Sequence, residues 1–274
     1  MGTIIKYLLL LTLSLLIFTG CLNGPDVEEY DDSNDIAFLE EYAQRENVEM
    51  TDSGLMYRVI EEGQTDEARP GPDNFVFVKY EGVSVDQNIN FSTGGELDVL
   101  LPSTLDNFSG LAEVVQLMPP DAIYEVVLPS NLALSNGRVF LFEFELESFL
   151  TDPHEFLDQN QENEDITVTE TGLQYRVLEE GDGATPTSTD RVRVNYTATY
   201  VNGFIFDQSG DNPAMFELTG VISGFSEGLQ LMKTGAKYEL FLPPTIGYGN
   251  NPPPGSSILP GVVLVFEVEL VEIL

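Results

Sequence analysis

Apolar and polar residues alternate one by one through Arg191 to Tyr200 (RVRVNYTATY), with Val192, Val194, Tyr196, Ala198 and Tyr200 set against Arg191, Arg193, Asn195, Thr197 and Thr199. A period of two belongs to a strand with one buried face. The same alternation puts Tyr238, Leu240 and Leu242 on one face of KYELFLP, and Val262, Leu264, Phe266, Val268 and Leu270 on one face of VVLVFEVEL. These segments predict an antiparallel sheet. A different spacing holds at Phe225, Gly228, Leu229 and Met232, which recur as the apolar stripe of a helix does, with Gly235 expected to end it. One short helix against a curved antiparallel sheet is an α+β domain.

The pattern occurs twice. SGLMYRVIEEG, from Ser53, returns as TGLQYRVLEEG, from Thr171, at a constant offset of 118 residues. Solenoid repeats have periods of roughly 20 to 50 residues, so this spacing marks two whole domains. QLM at Gln116 and Gln230, and FEFEL from Phe142 against FEVEL from Phe266, continue the match with small slips that read as loop insertions. A chain of 274 residues is comfortable for two domains, each able to bury its own core. The expected layout is a leader over 1–20, an acidic tether over 21–35, a first copy over 36–150, a polar linker over 151–165 and a second copy over 166–274. Phe38-Leu39 and Phe156-Leu157 stand at the same offset ahead of the copies and predict a short helical lead-in to each.

The leader has Lys6, an apolar run from Leu8 to Phe18, and then small residues before Cys21, the only cysteine in the sequence. This is the shape of a secretory signal, too short to span a bilayer comfortably. FTGC resembles a bacterial lipobox, which implies cleavage before Cys21 and lipidation on it. Leu22 follows where many inner-membrane lipoproteins carry Asp, so the expected location is exported and anchored to the outer membrane. LNGPDVEEYDDSND has little to bury and reads as a solvated tether.

Acidic residues number 46 against 11 basic ones, a formal charge of −35. Such a surface repels nucleic acid and bare anionic lipid, so neither is expected as a partner, and membrane contact is expected through the lipid anchor alone. Scattered acids that keep the protein soluble explain most of this charge; a basic partner or a calcium site is the alternative, although no DxDxDG loop supports calcium.

His154 is the sole histidine and lies in the polar linker, so neither a Ser-His-Asp arrangement nor a His/Cys zinc site can be assembled. No GxGxxG or GxxxxGK motif is present, and no metal or cofactor is expected. What stands out are aromatic and apolar residues where strands meet loops: Phe206 and Asp207 in NGFIFDQS, Val221, Ile222 and Phe225 in VISGFSEGLQLM, Tyr248 and Ile258 in IGYGNNPPPGSSILP, and Phe266 in the last strand. Taken singly, each aromatic is as well explained by packing.

Taken in order, VNYTATYVNGFIFDQS, VISGFSEGLQLMKTGAKYELFLP, IGYG and LVFEVEL resemble the catalytic domain of FKBP-type peptidyl-prolyl cis-trans isomerases, in particular the macrophage infectivity potentiator group of bacterial lipoproteins. The resemblance runs through Thr171 to Leu274. It implies a twisted sheet wrapped around one helix and an isomerase that helps exported clients fold, its substrates being proline-containing unfolded or extended polypeptides. Macrolide-type inhibitors would fit the same pocket. Tyr196, Phe206, Val221, Ile222, Phe225, Ile258 and Phe266 would bind the proline, with Phe225 as floor where the family usually has Trp. Tyr248 would hydrogen-bond a substrate carbonyl, and Asp207 would orient that hydroxyl or that of Tyr196. Ala214 falls near a usual pocket aromatic, a departure expected to loosen the site. A client-binding chaperone in which turnover is incidental is the other reading.

In the first copy, Tyr80 and Phe142 keep the places of Tyr196 and Phe266. The alignment is read as putting Ile89 and Asn90 at the Phe206-Asp207 positions, Leu111 at the floor and Leu134 at the Tyr248 position. Tyr248 to Phe266 is 18 residues against 8 from Leu134 to Phe142, so ten residues of roofing loop are missing. A folded copy that does not isomerise is expected, left to bind clients, set reach from the membrane or form a homodimer.

Overall fold

The computed structural model describes residues 30–134 and 136–274. The leader, Cys21 with its expected lipid, and the tether up to residue 29 lie outside the described residues. The chain forms two compact units, Met1–Phe149 and Leu150–Leu274.

In the first unit the elements are α1 (Ser33–Tyr42), β1 (Glu49–Met50), β2 (Met56–Glu61), β3 (Val76–Ser84), β4 (Asn90–Ser92), β5 (Asp98–Leu100), α2 (Ser109–Val115), β6 (Ala122–Leu128) and β7 (Phe140–Phe149). The second unit repeats them as α3 (Pro153–Asn160), β8 (Thr167–Val168), β9 (Gln174–Glu179), β10 (Arg191–Thr199), β11 (Ile205–Gln208), β12 (Ala214–Glu217), α4 (Ser223–Leu231), β13 (Lys237–Leu242) and β14 (Leu264–Ile273). The strand order is β1-β2-β6-β7-β3-β4 in one sheet and β8-β9-β13-β14-β10-β11 in the other, with β5 and β12 pairing to β3 and β10. Every pairing between these strands is antiparallel. The α+β architecture, with α2 or α4 on the inner face of each sheet, follows from the alternation and the single helical stripe.

The inner face of the second sheet carries Val192, Val194, Leu240, Leu242, Val268 and Leu270, all fully buried. Helix α4 lies on this face because two glycines let it approach: a Cβ on Gly228 would stand 2.4 Å from the Leu240 side chain, and one on Gly224 2.8 Å from that of Leu242. The helix stops at Leu231, before the glycine expected to end it. Met232 is already extended, and Gly235 takes its positive φ of 87° in the turn that leads into β13.

The outer face is also covered. Phe156 and Leu157 of α3 pack on Phe241, Val263 and Val265, just as Phe38 and Leu39 of α1 pack with Tyr42 on Met56, Val127 and Val139. Two expected boundaries therefore move. Residues 151–165, read as linker with a helical lead-in at Phe156-Leu157, hold a capped helix that belongs to the second unit: Pro153 opens it, and the Asp152 carboxylate accepts from the His154 and Glu155 N–H groups. The tether likewise ends before residue 35. Asp35 lies inside the fold, accepting from the Tyr30 hydroxyl at 3.0 Å and the Val139 N–H at 2.8 Å.

The helix-to-sheet contacts differ between copies in one respect. Tyr42 and Met56 stand at the same repeat positions as Asn160 and Gln174. In the first pair the Tyr42 ring packs on the Met56 thioether, with its hydroxyl donating away to Glu125 Oε1 at 2.9 Å; in the second, the Asn160 amide donates to the Gln174 side-chain carbonyl at 2.8 Å, and the Gln174 amide donates to the Leu157 carbonyl at 2.8 Å.

Candidate active site

At the end of the second sheet, β10, β11, β14 and the start of α4 surround a cavity of about 430 Å³, lined by Tyr196, Phe206, Asp207, Phe216, Gly220, Val221, Ile222, Phe225, Tyr248, Ile258 and Phe266. The pleat directs Tyr196 inward from β10, beside Val268 of β14, its registered partner. Phe225 sits in the first turn of α4, held down by the glycine contacts described above. Its ring centroid is 4.9 Å from Phe266, 5.8 Å from Phe216 and 6.3 Å from Tyr196, mostly in tilted or edge-on arrangements. These four rings make an apolar floor and walls. Phe206, edge-on to Phe266 at 6.2 Å, extends them.

Three polar groups face this apolar space. The Tyr196 hydroxyl donates to Asp207 Oδ2 at 2.7 Å, so between the two roles open to the carboxylate the geometry gives it Tyr196. Burial, then the bond to Asp207, raises the Tyr196 pKa well above the usual phenol range. Burial, with the nearby Asp207 charge, also raises that of Tyr248. Both hydroxyls are therefore neutral donors at physiological pH. No group of three or more His, Cys, Asp or Glu that could hold a metal stands among the described residues.

Every pocket residue named from the sequence lines this one cavity. Sequence reasoning missed Phe216 and Gly220. Ala214 was expected to leave a gap, yet Phe216, two residues further on the same face of β12 and paired with Val192, turns its ring to 5.7 Å from Tyr196. The period of two through Ala214, Phe216 and Leu218 was the available signal.

Residues 183–271 match the family described as FKBP-type peptidyl-prolyl cis-trans isomerase. The chain is 37% identical over 195 residues to the FKBP-type 22 kDa peptidyl-prolyl cis-trans isomerase of Escherichia coli K12, a match covering 70% of this chain and 92% of that protein. The chain belongs to the FKBP-type isomerase family. It is also 31% identical to the outer membrane protein MIP of Legionella longbeachae over 70% of this chain and 82% of that one. Among solved structures it is similar to FkpA from Escherichia coli, with 39% identity over 44% of this chain and 57% of that chain, at a TM-score of 0.42.

The first unit keeps the strand order of the second and fills the corresponding space with its own rings. Strand pairing corrects the expected alignment by one residue. Gly82 of β3 faces Phe91, as Ala198 of β10 faces Asp207, so Asn90 and Phe91, not Ile89 and Asn90, take the places of Phe206 and Asp207. The same offset of 116 residues joins Tyr80 to Tyr196 and Phe91 to Asp207 with no insertion between them, so this register is legible in the sequence itself. Phe91 packs at 5.3 Å from Phe108, 5.9 Å from Phe140 and 6.1 Å from Phe142. Gly82 has no Cβ, and the Phe142 ring drops into that space: a Cβ there would stand 2.1 Å from it. Where the second unit has a carboxylate at the mouth of a cavity, the first has a partly buried phenyl ring packed against its core.

Proposed function

We propose that the second unit carries the peptidyl-prolyl isomerase activity of this chain, and that the first unit folds without isomerising. The observation supporting this reading is the cavity around Phe225, apolar on its floor and walls, with two neutral tyrosine hydroxyls at its edge.

The reaction needs no bond broken. Amide resonance gives the Xaa-Pro C–N bond double-bond character and a barrier of roughly 18–20 kcal/mol. Resonance places negative charge on oxygen and positive charge on nitrogen, and water stabilises that separation more than it does the twisted, unconjugated amide. A prolyl ring seated on Phe225, between Tyr196, Phe206 and Phe266, leaves water behind, so the planar ground state loses more than the transition state does. The Tyr248 hydroxyl donates to a carbonyl of the bound segment and fixes its position, while Asp207 holds the Tyr196 ring against the wall. If the pocket removes about 5 kcal/mol from the barrier, the rate rises by roughly four decades.

Proline-containing extended segments are the substrates in this reading. Cys21 carries a lipid, and the protein works outside the cytoplasm on exported clients; the sequence of the leader and the outer-membrane relative support that placement. The test is the full-length Asp207→Ala, Tyr248→Phe double variant on a short Xaa-Pro peptide. Its kcat/KM should fall by at least about tenfold, since two hydrogen bonds of about 1 kcal/mol each are lost. Undiminished turnover would refute the site. Suppression of client aggregation retained by wild type that shows no turnover would favour the chaperone reading.

A further inference from the structure

We propose that Tyr200 is a positioning residue of the isomerase site, holding the roofing loop so that Ile258 stays over the pocket. The proposal rests on the reading that this pocket isomerises prolyl bonds. Tyr200 follows the last residue of β10 on the inner face and is 1% exposed. Its hydroxyl donates to the Ser257 carbonyl at 2.8 Å and accepts from the Leu259 N–H at 3.0 Å. Those two backbone groups flank Ile258, which lines the cavity. The same ring stacks on Phe206 at 4.8 Å, so one buried side chain supports both a wall and the roof.

The loop needs such support. Between Ile246 and Leu264 no strand or helix forms, and Pro252, Pro253, Pro254 and Pro260 cannot donate hydrogen bonds. Its own backbone bonds include Ser256 N–H to the Pro253 carbonyl and Gly261 N–H to the Gly249 carbonyl, both away from Ile258. The first unit provides a comparison within the same chain. There the place of Tyr200 belongs to Ser84, four residues beyond Tyr80, and its hydroxyl turns into the β3–β4 turn, accepting from the Asn88 and Ile89 N–H groups. The short loop of that unit is tied instead by the Arg138–Asp86 ion pair at 3.0 Å. The tyrosine thus accompanies the long loop, and the serine the short one.

The experiment uses the full chain with Tyr200→Phe, Ile258→Ala and the double variant, measuring kcat and KM on a short Xaa-Pro peptide. Tyr200→Phe keeps the ring stacking and removes both hydrogen bonds, and kcat/KM is expected to fall roughly tenfold, chiefly through KM. In the Ile258→Ala background the same change should alter kcat/KM by less than about twofold, because the group it positions is gone. A full tenfold loss in both backgrounds, or none in the wild-type background, overturns the proposal. Should Tyr200→Phe fail to fold, amide exchange of Leu259 in the wild-type chain decides: protection supports the anchor, and exchange at the rate of an open loop overturns it. Wild type without turnover would overturn the isomerase reading of the pocket, leaving the Leu259 exchange to report on the anchor separately.

Discussion

Phe225→Leu gives the second unit the residue that the first carries at this place, Leu111, and separates a catalytic floor from a merely packed one. The Phe225 ring is 4% exposed and meets three others, Phe266 at 4.9 Å, Phe216 at 5.8 Å and Tyr196 at 6.3 Å. Such ring pairs contribute about 0.5–1.5 kcal/mol each beyond area burial. The three share one ring and are not additive, and swaps that nearly conserve volume usually cost below about 1.5 kcal/mol. A stability loss of about 1.5 kcal/mol is therefore expected, which leaves the unit folded against a typical total of about 5–15 kcal/mol. The catalytic effect is separate. Leucine keeps the floor apolar but withdraws the flat face beneath the twisting bond, and about 1 kcal/mol of lost transition-state contact lowers kcat/KM roughly fivefold. The fall should lie in kcat more than in KM, since the contact strengthens as the bond twists. A protease-coupled isomerisation assay on a short Xaa-Pro peptide, run beside thermal melting, reads both quantities. A lowered melting temperature with kcat/KM within twofold of wild type would refute the role given to the ring.

Phe91→Ala removes a partly buried ring packed on the core of the first unit and should destabilise that unit by less than the loss of about 3–5 kcal/mol at a fully buried phenylalanine, read in denaturant melts, with full-chain turnover unchanged; turnover that falls with it would show that the first copy contributes to catalysis. Because burial raises the pKa of both Tyr196 and Tyr248 and the sole histidine lies in α3, kcat/KM should be flat from about pH 6 to 9, and a titration step inside that window would contradict the site. Stability should behave differently at high pH. Burial followed by the bonds to Asp35 and Glu49 pushes Tyr30 and Tyr57 up to about 12, so the folded chain keeps protons that the unfolded chain releases near pH 10. Their contribution is complete below about pH 10 and is lost as the pH climbs toward 12, which urea melts across that range will show.

Much of the scaffold could be read from strand periodicity, because an inner face such as Val192, Val194 and Ala198 must alternate to stay buried. The outer face was harder. Phe241, Val263 and Val265 interrupt the alternation, since α3 covers them; the Phe156-Leu157 pair predicted that helix, but its polar surroundings made it read as a lead-in within a linker and not as part of the domain. The pocket was legible because its residues sit at strand ends in a distinctive order. Phe216 is masked in the sequence by Ala214, two residues earlier on the same strand face, which stands nearer the usual place of a pocket aromatic. The Ile89-Asn90 alignment is one residue out although the span from Tyr80 to Phe91 equals that from Tyr196 to Asp207, so the correct pairing was available from the sequence. Tyr200 looked like one more core residue; only coordinates could show where its hydroxyl points.

The paired positions beneath the two lead-in helices, Tyr42 with Met56 and Asn160 with Gln174, act as matched halves of two different fasteners. Transplanting α3 onto the first sheet would set an amide against a thioether, and the reverse graft would leave the Gln174 side-chain carbonyl without the Asn160 amide. A chimera of these modules will hold only if helix and strand travel together, and the duplicated unit of this protein is thereby defined as the domain plus the helix that precedes it.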